Sequence, residues 1–70
     1  MKNINAISII GKKFSDIGTE MSAVIAETGQ KPNYIVIDSN QHESMLEMDG
    51  VKVKQGRALK YKGMSVIVTL

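Results

Sequence analysis

Seventy residues, 43% of them hydrophobic and with a net charge of +2, suit one small folded domain spanning 1–70 and are too few for two. The absence of cysteine excludes disulfides and thiolate metal sites, and a chain this short buries only about 60% of the surface its unfolded form exposes, so help from a protein partner or from self-association is expected. No apolar run reaches the roughly 18–20 residues that cross a bilayer, and MKNINAISII lacks the long apolar centre and cleavage site of a signal peptide; a cytoplasmic protein with no membrane partner is expected.

In chain order, Ile4, Ile7, Ile9 and Ile10 precede Gly11 and predict a first strand within 3–10, either an edge strand or an extended arm. Phe14, Ile17, Met21, Val24 and Ile25 then fall at helical spacing. They predict a helix over 12–28, with Ser15 as an alternative N-cap, Gly29 beyond its end and Pro32 forbidding continuation. Tyr34–Ile37 is an uninterrupted apolar run and reads as a central strand buried on both faces. Asp38 or Ser39 then caps a short helix; with Asp38 as N-cap, Gln41 three residues later completes a capping box, and the helix has Met45, Leu46 and Met48 as its apolar side and ends at Asp49-Gly50.

Beyond Gly50 the period changes to two. Val51 and Val53 alternate with Lys52 and Lys54, Gln55-Gly56 makes a turn, and Leu59 and Tyr61 alternate with Lys60 and Lys62. Lys62-Gly63 makes a second turn, and Met64, Val66, Val68 and Leu70 form one face of a last strand, with Ile67 on the other. The fold class is therefore α+β: two layers, a small mixed or antiparallel sheet, one longer and one short helix, in the order β-α-β-α-β-β-β.

Chemistry-bearing residues are sparse. His42 is the sole histidine, and Leu46 stands where an H-E-x-x-H helix needs the second, so no metal is expected and His42 reads as an exposed polar residue. Glu20, Asp38, Glu43, Glu47 and Asp49 read as solvated or capping carboxylates rather than an acid–base pair. The dispersed glycines match neither a phosphate loop nor a dinucleotide fingerprint. No cofactor and no enzymatic activity are expected.

Charge is the exception. All seven acids lie before position 50, whereas Lys52, Lys54, Arg57, Lys60 and Lys62 follow it with no acid among them. If the strands pair, the four lysines share one solvent face with Arg57 near the turn, a candidate surface for tracking phosphates. Its alternative is a solvated sheet face whose lysines discourage edge-to-edge aggregation. Phe14, Tyr34 and Tyr61 read as inward-facing, which leaves that surface without a stacking platform.

Pro32-Asn33-Tyr34-Ile35-Val36-Ile37, the following helix Gln41-His42-Glu43-Ser44-Met45-Leu46 and the strand Gly63-Met64-Ser65-Val66-Ile67-Val68 together resemble, over about half the chain, the axial domain of major capsid proteins of tailed phages and encapsulin-like shells. Ser65 stands where that family usually has proline, and seventy residues leave no room for its long spine helix, extended loop and N-terminal arm. The resemblance implies a phage or mobile-element origin and a structural role that binds a protein partner or further copies of itself, in the host cytoplasm or a virion; it transfers no site residue. A nucleic-acid-binding regulator using the basic face is the alternative.

Overall fold

A computed structural model describes residues 5–69. Strand β1 (Ala6–Ser8) leads through a 3-10 turn (Phe14–Asp16) into helix α1 (Ile17–Thr28), then strand β2 (Tyr34–Asp38), helix α2 (Ser39–Met45) and strands β3 (Val51–Lys54), β4 (Arg57–Tyr61) and β5 (Met64–Thr69). This is the expected α+β order. The strands form one mixed sheet in the order β1-β2-β5-β4-β3. β2 runs parallel to both β1 and β5, while β4 is antiparallel to β5 and to β3. Asn3 and Ile4 of the expected first strand, and Leu70 of the last, lie outside the described residues.

Local sequence accounts for the boundaries. The first helix begins at Ile17, later than its apolar spacing alone predicts, because the 3-10 turn takes up Phe14–Asp16. Gly29 terminates it at φ 77, a left-handed conformation cheap only for glycine, and its N–H donates to the Ile25 carbonyl. The capping box is present at α2: Gln41 N–H donates to Asp38 Oδ1 at 2.7 Å, and Asp38 N–H donates to Gln41 Oε1 at 3.0 Å. The Gln41 amide also donates to the carbonyls of Ile9 (2.6 Å) and Lys12 (3.1 Å). One side chain thus caps one helix and holds the loop that enters the other.

Both helices cover the same face of the sheet. Ile7, Ile9, Ile17, Ile35, Ile37, Met45, Ala58 and Met64 form a single buried cluster, against which Phe14, Met21, Val24, Leu46, Val51, Tyr61, Val66 and Val68 pack. Ile25, at the end of the predicted helical stripe, is largely exposed instead. The expectation that β2 is buried on both faces is corrected: burial alternates along it, with Ile35 and Ile37 fully buried and Tyr34 and Val36 only half-buried. Two helices of 12 and 7 residues cover one side of five strands, and the other side stays open.

Candidate nucleic-acid interface

The β3–β4 hairpin closes through Gln55 and Gly56, both at positive φ (53 and 76), and the β4–β5 hairpin through Lys62 and Gly63 (51 and 81). Two-residue loops of this kind match the right-handed twist of the strands they join. Residues flanking such a loop form a hydrogen-bonded pair and the next pair does not, so the Ala58 N–H, opposite Val53, points away from β3. On that side β4 departs from β5, since their ladder is only two pairs long, Lys60 with Ser65 and Tyr61 with Met64. His42 fills the gap: its Nε2 accepts from the Ala58 N–H at 3.1 Å. The exposed role expected for His42 is therefore wrong. The ring is half-buried and substitutes for a missing strand. Accepting at Nε2 requires a neutral ring that carries its proton on Nδ1.

A register shift between Lys52 and Val53 reorders the side chains of β4. Lys52 faces Lys60 and Val53 faces Ala58, so Leu59 is the extra residue of a bulge and shares the open side with Lys60. Ala58, not Leu59, enters the core; Leu59 is 45% exposed. Val53, expected to face the core, is also largely exposed, near the free edge of the sheet.

Four of the five basic residues singled out from the sequence are brought together. Lys52 faces Lys60 and Lys54 faces Arg57, all on the open side. Each is exposed, and among the described residues the one ion pair, Lys12 with Glu20, lies elsewhere. Lys62 does not join this face: it sits in the second turn with its ammonium 5.5 Å from the centre of the Tyr61 ring.

Sequence reasoning missed Tyr34. The parallel ladders align Ala6, Tyr34 and Ser65 in one row, which Lys60 and Lys52 continue across β4 and β3. Phe14 and Tyr61 pack on the core as expected, whereas Tyr34 belongs to the open face with Val36 and Ile67. The signal was the parity of Tyr34 and Val36 against Ile35 and Ile37, hidden because all four residues are apolar.

The fold and face define a small α+β domain with one helix-covered sheet face and one open face that is basic along the hairpin. No family model, curated protein or solved structure matches the chain. Among the described residues no three His, Cys, Asp or Glu side chains converge as metal ligands, and no helix is long and apolar enough to cross a membrane.

Proposed function

We propose that the chain is a non-enzymatic interaction protein that binds nucleic acid through the β3–β4 hairpin, acting in a host cytoplasm or within a phage-type particle. The observation that carries this reading is the pairing of like charges. Lys52 stands opposite Lys60 and Lys54 opposite Arg57, an arrangement that weakens a hairpin unless an anion is shared between the pairs. Aggregation control requires only scattered lysines along an edge, and it does not account for two successive repulsive pairs. A row of phosphates relieves both at once, and release of its counterions supplies the affinity.

The test is fluorescence-anisotropy titration of the full chain with labelled oligonucleotides over a salt series. Engagement of about four phosphates makes log K fall with log salt at a slope of roughly −3 to −4, and each charge removed reduces the slope by about one. Replacement of Lys52, Lys54 and Lys60 by Glu abolishes binding. Binding that ignores both salt and these changes, or no binding, overturns the reading. Concentration-dependent self-association in sedimentation without nucleic-acid affinity would point instead to the structural role that the capsid resemblance implies.

A further inference from the structure

We infer that the open face takes a single strand rather than a duplex, with a base stacked on Tyr34 and the phosphates running toward Lys60 and Lys52; this rests on the nucleic-acid reading above. Single-strand binders combine a basic track with an aromatic surface, and the sheet register supplies both in one row. With strands about 4.8 Å apart, Lys60 lies two strands and about 10 Å from Tyr34, and Lys52 one strand further. Ala6 and Ser65, which flank the half-buried Tyr34 across the two ladders, are small side chains.

The platform is also held in place. The Tyr34 N–H donates to the Asn5 carbonyl at 3.2 Å, and the neighbouring Asn33 carbonyl accepts from Ser65 N–H at 2.8 Å. Beyond Tyr34 on the same face, Val36 and Ile67 continue an apolar surface, and Ile67 is 41% exposed. A flat apolar surface beside a cationic strip complements an unpaired base attached to its phosphate. A duplex presents only phosphates to such a face and gains nothing from the ring. The fit is to unpaired bases.

The test compares a single-stranded oligothymidylate of about 20 nucleotides with a duplex of equal length, using the intact chain and its variants. Tight binding of the single strand is expected to fall about 5- to 100-fold in Tyr34→Leu and to persist in Tyr34→Phe, with duplex binding unchanged by either. In a Tyr61→Phe background Tyr34 is the remaining tyrosine of a chain without tryptophan, so stacking is read directly as quenching of its emission. Circular dichroism verifies the fold of each variant. Equal, salt-sensitive affinity for both forms that Tyr34→Leu leaves unaltered would overturn this inference and leave the hairpin reading standing. Absence of binding to either form removes both. Self-association abolished by Ile67→Lys, with no oligonucleotide bound, would assign the face to a second copy and overturn the inference as well.

Discussion

The two halves of the sheet are built on different terms. β1, β2 and β5 run parallel, with a five-pair ladder between β2 and β5; of their inward positions Ile7, Ile35, Ile37 and Met64 are buried, and Val66 and Val68 are half-buried. The β3–β4 hairpin shares two pairs with β5, contributes Ala58 as its buried residue and carries charge that repels itself. Besides these two pairs and Ala58, what joins it to the domain is the packing of Val51 and Tyr61 on the core and one hydrogen bond to His42. The parallel half is optimised for burial. The hairpin carries features that cost stability, and such departures concentrate where a protein meets its ligand.

The largest blow to this contrast comes from the parallel half. Ile37→Ala removes a fully buried side chain and should cost about 2–5 kcal/mol, a large share of what a domain of this length possesses. Urea denaturation followed by circular dichroism should show both halves lost together, or no folded state at all. Retention of the hairpin alone would break the comparison.

Loss of His42 should act locally. His42→Ala strands the Ala58 N–H beside the core at a cost of about 1–3 kcal/mol. Hydrogen exchange is expected to quicken at Ala58 while the amides of β2 keep their relative protection. Uniform loss of protection would mean that the hairpin is no separate unit.

Asp38→Ala tests the joint between the helices. The missing cap should cost about 0.5–2 kcal/mol, measured as a lowered denaturation midpoint. Gln41→Ala should cost at least as much, because its amide additionally holds the Ile9–Lys12 loop.

The smallest effect has the most informative sign. Lys52→Glu turns the repulsion with Lys60 into attraction and should raise stability by a few tenths of a kcal/mol while weakening oligonucleotide binding. Stability and binding moving in the same direction would show that the charge pairing does not serve the ligand.

Much of the fold was legible because its signals are local. The cap at Asp38, the stop at Gly29, both two-residue turns and the outward Ile67 each follow from a few neighbouring residues whose backbone preferences or alternation decide the matter. The basic set was likewise legible as a charge run without acids, and four of its five members share the open face. Tertiary structure alone decided the remainder. Whether Tyr34 is covered depends on which side of the sheet the two helices pack, and an unbroken apolar run is silent on that. Which of Ala58 and Leu59 turns inward depends on a one-residue register shift, and the partner of the Ala58 N–H depends on how far β5 follows β4. Residue type set what each segment prefers; long-range pairing and register, which arise only when strands remote in sequence meet, set which face each side chain finally occupies.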